Sequence, residues 1–520
     1  MRIVVTNPDS IGDFVLRQPL YQALASAGHD LFLIVRSAVI PLAAQVAPGA
    51  IVAELTLNPY DAAFDVSGAE VQRLVDEARS FRPDVVCIAP YQRTTLDERL
   101  AEALRPCYTV GMQGVLYDPR SQSVTASGAT LQLDRSVAVS EDARELEKNQ
   151  RLCGVLLGRA VELPKPRITA TSEQDDLART ALQRLGVRPG DYWVGCVGHS
   201  PYGAVRNWGA ANWAGALSHA ASRYGRRFLL IGSADEQVVT EEIRQRMADA
   251  ATGCVNLCGT TPGLDLALGL IQNSAGYIGR DTGPMHIAAA MDKPVIAVFG
   301  GGNWPRFIPA AKTGVVLTVP LPCSPCGWMC HLPDSYCVKQ IPAGAVLNAI
   351  DEVEAGSVQG LVVRQIAPDD ALIARVVREG AAAARALRKS AEVDRSAFVR
   401  KLSETEGELR ENRQKFSEAE REFRQKLSET EGELRSRVEH YEALREVMRG
   451  MAHETEMLSA QLGSARRAQE QVDRECTALR HSIETSLALR LVRSVRWVAD
   501  PLRRAVLRLG ARANRSGIVS

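Results

Sequence analysis

Short apolar runs recur along roughly the first 350 residues, most of them followed by a stretch of helical patterning, and no other feature restricts the fold so tightly. The candidate strands are Ile3 to Thr6, Leu31 to Val35, Val85 to Ile88, Trp193 to Val197, Phe228 to Ile231, Gly276 to Gly279 and Val295 to Phe299. Strands rich in Val and Ile that are separated by helices predict parallel sheets covered on both faces. The polar, proline-containing stretch Leu163 to Thr171 (LPKPRITAT) is the best internal boundary. The expected fold class is therefore α/β: two doubly wound domains with a cleft between them, over residues 1–165 and 166–355.

A linker is expected over residues 356–384, after which the composition changes. Residues 385–482 contain no proline and are dominated by Glu, Arg, Lys, Ala and Leu, as in a long solvated helix. The decapeptide KLSETEGELR occurs at Lys401 to Arg410 and again at Lys426 to Arg435, with a degenerate copy, KFSEAEREFR, at Lys415 to Arg424. Offsets of 14 and 11 residues are two heptads and one hendecad, which predicts a nearly straight coiled coil. Its seam runs through Leu402, Leu409, Phe416, Phe423, Leu427 and Leu434, while Gly407, Gly432 and Gly450 weaken it. The competing reading is a single helix held by charge pairs along its surface.

Residues 483–520 form a basic amphipathic tail. Leu487, Leu491, Val495, Val498 and Leu502 share a helical face opposite Arg490, Arg493 and Arg496. The stretch from Leu487 to Ser520 holds eight arginines and one acidic residue, which suits an anionic membrane surface; packing on the chain itself is the other reading.

Balanced charge, 62 basic against 61 acidic residues, excludes an overall polyanion-binding character, and no nucleic-acid partner is expected. The N-terminus lacks the apolar region and cleavage site of a signal peptide, and no apolar run approaches a membrane span, so a cytoplasmic location is expected. The 11 cysteines then read as thiols or metal ligands.

Three loops carry chemistry. In GRDTGPMHIAAAM a strand ends near Gly279 and a helix begins at Pro284, a residue preorganised for the first helical turn. The turn Asp281-Thr282-Gly283 thus lies where free N–H groups and the helix dipole favour a phosphate. Gly283 permits close backbone approach, His286 can donate to the anion, and Asp281 fits better as an acceptor for hydroxyls of a sugar attached to that phosphate. The bland reading of Asp281 is a helix cap. In Asn7-Pro8-Asp9-Ser10-Ile11-Gly12-Asp13, Asp13 stands at a helix start; it is a candidate general base, and equally a plain helix-start acid. In the loop His199 to Trp208, Arg206 is placed to hold a diphosphate, or is merely solvated.

Together these elements resemble the family 9 glycosyltransferases, the bacterial ADP-heptose lipopolysaccharide heptosyltransferases. The resemblance covers about residues 1–350 and rests on Ser10-Ile11-Gly12-Asp13, Arg206-Asn207-Trp208, Asp281-Thr282-Gly283-Pro284-Met285-His286 with Ala288-Ala289-Ala290, Lys293-Pro294-Val295 and Phe299-Gly300, in that order. It implies a GT-B fold of two Rossmann-like domains, an N-terminal acceptor domain and a C-terminal nucleotide-sugar domain, followed here by the coiled coil. It further implies inverting, metal-independent transfer without a cofactor, with Asp13 as base and with Arg206, Asp281, Thr282, Gly283, His286 and Ser10 at the donor. Arg206 replaces the usual lysine.

Two positions depart from the family pattern, and both fall near the donor: Asp9, where basic and serine residues are common, and Ala234, where some members carry a glutamate. The cluster Cys323, Cys326, Cys330 and Cys337 has the spacing of a structural metal site, but the resemblance favours packed thiols. The expected partners are a nucleotide sugar, ADP-heptose first; a lipopolysaccharide core, lipid-linked or other surface glycan; the inner face of the cytoplasmic membrane; and a second copy through the coiled coil. The alternatives are a catalytically inert GT-B module acting as a membrane-associated coiled-coil scaffold, another donor sugar, or a protein acceptor.

Overall fold

The first apolar run, RIVVTN, forms strand β1 (Arg2–Asn7) and is buried at five of its six positions, as a strand covered on both faces must be. In the computed structural model it lies inside a sheet whose half of the chain holds β2 (Asp30–Arg36), β3 (Ile51–Leu55), β4 (Val85–Ile88), β5 (Gln92–Thr94), β6 (Tyr108–Met112), β7 (Val115–Asp118), β8 (Ser123–Ala126) and β9 (Arg135–Val137). The six-stranded sheet has the order β3-β2-β1-β4-β6-β9, all parallel. Strands β5, β7 and β8 make a small side sheet. The structure describes residues 1–118, 123–126, 132–199, 201–260, 263–328 and 330–429, with isolated positions from 446 to 471.

The second half holds β10 (Tyr192–Cys196), β11 (Arg227–Leu230), β12 (Cys254–Asn256), β13 (Gly276–Arg280), β14 (Val295–Val298), β15 (Gly314–Thr318) and β16 (Leu361–Gln365). They form one parallel sheet in the order β12-β11-β10-β13-β14-β15-β16. In both sheets the order reverses beside the first strand of its half, between β1 and β4 and between β10 and β13. At such switch points the loops leaving the carboxyl ends part in opposite directions and open a crevice, which is where doubly wound sheets take ligands. The loops after β1, β10 and β13 are the three motif loops of the sequence.

Apolar residues on both faces supply the cores. Trp208 and Trp213 are buried edge to face in the second lobe, ring centroids 4.9 Å apart, and Trp208 Nε1 donates to the Ile341 carbonyl at 2.8 Å. That anchor, two residues past Arg206, fixes the loop presenting the arginine.

The stretch 356–384, expected as a linker, is not one. It supplies β16, the edge strand paired with β15, and the start of a helix at Asp370 whose Leu372 and Val376 are buried in the second lobe's core. Five residues, LVVRQ, are too few to show strand periodicity against a helical neighbourhood.

The chain divides into two compact units, residues 1–381 carrying both sheets and residues 382–480 forming the bulk of the other. The helix Asp370–Glu429 runs unbroken for 60 residues, about 90 Å at about 1.5 Å per residue. Of the expected seam, Phe416 is half-buried; the side chains of Leu402, Leu409, Phe423 and Leu427, together with Leu434 and residues 483–520, lie outside those described. Among the described residues no helix is long and apolar enough to cross a membrane.

Candidate functional site

The loop leaving β1 leads into a short helix, Ile11–Leu16, and Asp13 sits in its first turn, only 8% exposed. Ser10 Oγ donates to Asp13 Oδ2 at 2.8 Å. Burial is the main cause that lifts the Asp13 carboxyl to about 7; Asp9 and Glu145 push the same way, and Arg17 and Arg306 oppose them. A carboxyl poised near neutrality in a crevice has the properties of a general base.

Asp9, the departure noted in the sequence, has a structural account. Arg17, fully buried, places Nη1 2.6 Å from Asp9 Oδ2 and donates to Asn7, while the Tyr60 hydroxyl donates to Asp9. Arg17 Nη2 also donates to Glu145 Oε1 at 3.2 Å. Glu145 opens the helix Glu145–Leu157, and its Oε2 accepts from Arg306 Nε at 2.6 Å. Burial works against the Glu145 charge, but Arg306 and Arg17 outweigh it and hold the carboxyl down at about 2. Lys148, one helical turn on, is buried with Nζ 3.9 Å from the Tyr91 ring centroid. Burial and the Arg306 charge bring its ammonium down to about 7.

From the other sheet, β13 ends at Arg280 and the helix Gly283–Ala290 follows, with Pro284 in its first turn. Thr282 is the extended residue before that helix, and its hydroxyl lies 3.1 Å from the Tyr277 hydroxyl. Asp281 is buried, which raises its pKa against the pull of Arg206 and Arg280. Arg280 pairs with Glu236, which also accepts from the Ser233 N–H at 2.9 Å, so the turn after β11 is tied to the turn after β13.

The two helix starts meet. A Cβ on Gly283 would come within 2.8 Å of Ile11 Cβ, and one on Gly12 within 2.7 Å of His286 Cδ2. The missing side chain of Gly283 makes room for Ile11 of the opposite lobe. His286 is 3% exposed, packed on Gly12 and edge-on to Phe307, and Nδ1 has no hydrogen-bond partner among the described residues. Burial pulls its pKa down to about 4, so it is a neutral imidazole with one N–H to donate.

Arg206 arrives from the short 3-10 helix Pro201–Arg206 after β10. Its Nη1 donates to the Asp281 carbonyl at 3.1 Å, and its guanidinium lies 4.3 Å from the Trp328 ring centroid. Burial lowers its pKa, opposed by Asp281, Arg280 lowers it further, and Asp13 supports its charge. Trp328 adopts a left-handed φ of 64°, with its ring where a Cβ on Gly302 would be 2.1 Å from it and one on Gly300 2.9 Å. The cysteine-rich loop therefore delivers the ring that covers Arg206.

The thiols of that loop, Cys323, Cys326, Cys330 and Cys337, are free. Burial, then neighbouring thiols, pushes Cys323 and Cys326 up to about 12. Among the described residues no three or more His, Cys, Asp or Glu side chains are grouped to hold a metal ion.

The structure thus brings Ser10, Asp13, Arg206, Asp281, Thr282, Gly283 and His286 to the facing ends of two switch points. Sequence reasoning missed Arg17, Glu145, Arg306 and Trp328. Arg17 had a signal, since it lies one helical turn beyond Asp13, whereas the other three are separated from the motifs by loops that carry no periodicity.

Residues 119–333 match the model of glycosyltransferase family 9 (heptosyltransferase). The chain is 36% identical over 132 residues to the lipooligosaccharide heptosyltransferase 2 of Haemophilus influenzae, a match covering 25% of this chain and 36% of that protein. It thus spans about a third of that relative's length. The ADP-heptose lipopolysaccharide heptosyltransferase II of Escherichia coli has a similar structure, with a TM-score of 0.52 at 18% identity, over 69% of this chain and 99% of that one. A family 9 glycosyltransferase from Veillonella parvula gives 0.55 at 16% identity, over 68% and 97%. These likenesses show the α/β GT-B-like fold with its parallel sheets.

Proposed function

We propose that the chain, with a glycosyltransferase family 9 match over residues 119–333, is an inverting glycosyltransferase that moves heptose from ADP-heptose to a lipopolysaccharide core or a related surface glycan. Asp13 takes the proton from an acceptor hydroxyl, and the oxygen attacks the anomeric carbon from the face opposite the diphosphate. The carbon–oxygen bond to the diphosphate breaks as the new bond forms, and the electron pair leaves with the nucleoside diphosphate. Negative charge then grows on the distal phosphate, where Arg206, the N–H groups at the Gly283 helix start and the neutral His286 N–H stabilise it. Asp281 accepts from the donor sugar, and Thr282 and Ser10 hold the phosphate turn and the base in register.

The observation that carries this reading is the pairing of a buried carboxyl raised to about 7 with a half-buried guanidinium on facing switch-point loops. The test is nucleotide release from ADP-heptose and competing nucleotide sugars, with the mass of the product recorded for glycan and protein acceptors. Release that persists in Asp13→Ala removes the base assignment; no release from any donor leaves the inert scaffold.

The unbroken helix through Glu429 supports self-association through the repeat seam, and the arginine-rich tail supports docking on an anionic inner leaflet, where lipid-linked acceptors are made. Binding to vesicles containing anionic lipid at low salt, compared with neutral vesicles, tests the tail. Equal partition onto both kinds of vesicle sinks the electrostatic account.

A further inference from the structure

Glu145 joins the two lobes at two points and the base array at a third. Its N–H donates to the Arg306 carbonyl at 2.9 Å and its Oε2 accepts from Arg306 Nε at 2.6 Å. Its Oε1 accepts from Arg17, whose other terminal nitrogen reaches Asp9. Arg17 is also held by main chain, its N–H donating to the Asp13 carbonyl at 3.0 Å. Arg306 itself is 12% exposed and lies between aromatic rings, 4.6 Å from the Phe307 centroid and 5.4 Å from that of Tyr91.

Apolar side chains of the same volume commonly serve stability as well as a buried ion pair does, so stability alone is a poor account of four buried charges in one place. Asp9, Glu145, Arg17 and Arg306 sum to zero, and ionisation of Asp13 makes the array negative. We propose that Glu145 and Arg306 are positioning residues for the base: the ion pair they close between the lobes keeps the Arg17–Asp9 array beside Asp13 and balances the charge felt by the Asp13 carboxyl.

The groups facing Asp13 are Ser10, Asp9 and Arg17 from its own segment, Glu145 from its helix, Arg306 from the loop after β14, Arg206 from the loop after β10 and the Tyr60 hydroxyl. His286, against Gly12, is neutral, and Lys148 lies behind Arg306 and Glu145. The two halves of the ion pair act on Asp13 with opposite sign: Glu145 raises its pKa and Arg306 lowers it. A unit charge removed from roughly 8 Å away, at an effective dielectric of about 20, moves a pKa by about one unit or somewhat more.

The test is the pH dependence of kcat/KM with ADP-heptose for the full chain and for Glu145→Gln, Arg306→Gln and Arg306→Lys. The acid limb moves down by about one pH unit in Glu145→Gln, up by about one in Arg306→Gln, and stays in place in Arg306→Lys. Limbs that stay put in both glutamine variants, or that move the same way, overturn the proposal, since a purely structural clasp lowers activity without opposing shifts. Should Glu145→Gln fail to fold, the contrast between Arg306→Gln and Arg306→Lys decides. The proposal rests on Asp13 as the base. If the wild type releases no nucleotide from any donor, that reading falls by itself. Infrared titration of the Asp13 carboxyl, assigned by difference from Asp13→Asn, then tests the charge balance through the same opposed shifts.

Discussion

Asp13 works at a cost to the fold. Its carboxyl rises from the usual range near 4 to about 7 in the folded chain, so between those values the native state binds more protons than the unfolded one. Stability therefore falls as pH rises through that window, and if Asp13 is the base, activity grows over the same window, because only the ionised carboxylate can take a proton. Two results are expected. The acid limb of kcat/KM turns over near pH 7, as a pH-rate profile will show. Asp13→Asn lowers kcat by about a hundredfold or more and raises stability at pH 8 by about 1–2 kcal/mol, read from thermal melts. A variant that loses activity and stability together contradicts this account. Glu145 behaves in the opposite sense: held at about 2, its contribution is full above the usual carboxylate range and lost as pH falls from there toward 2.

The motif loops are placed by the elements that carry them. Gly283→Ala drives a Cβ to 2.8 Å from the branched Ile11 Cβ on the other lobe, so kcat/KM falls by about tenfold or more. Removing the obstructing Cβ with Ile11→Gly in the same chain restores part of the loss, and steady-state kinetics on the single and double variants measures it. No recovery in the double variant means that Gly283 is needed for the anion rather than for the neighbouring helix. Trp328→Ala frees the guanidinium of Arg206 and raises KM for the donor by about fivefold, consistent with about 1 kcal/mol for a cation held on a ring. The strands bearing the motifs were legible because their apolar runs sit in the middle of each sheet. β3 and β16, at the sheet edges, mix polar with apolar residues, and sequence reasoning passed over them. Asp13, Asp281 and Arg206 were legible for the same reason, each following a central strand. Trp328 was not, since nothing local marks a ring whose seat is made by Gly300 and Gly302.

Along the whole chain, the unit of residues 1–381 carries the candidate site, and the helix that starts at Asp370 inside that unit runs on past it to Glu429. If the repeat seam joins copies, Leu402→Glu with Leu409→Glu converts the full chain to monomers with nucleotide release from ADP-heptose unchanged, as sedimentation and a donor assay on one sample will show. A single solvated helix predicts no change in mass. That long helix was legible from composition, whereas the compensated charges behind Asp13 were not, because ion pairing over 128 and 161 residues leaves no trace in local spacing.

The reciprocal contact of Ile11 with Gly283 and Gly12 with His286 has a kinematic consequence. The two helix starts touch there without room for a side chain on either glycine, and Asp13 lies one residue from Gly12. Rotation of one sheet against the other about such a point displaces the outer strands by a long arc and Asp13 by a short one. If Asp13 is the base, a change in the angle between the lobes about this contact would alter its distance to a donor on the other helix start less than it alters the spacing of the outer strands.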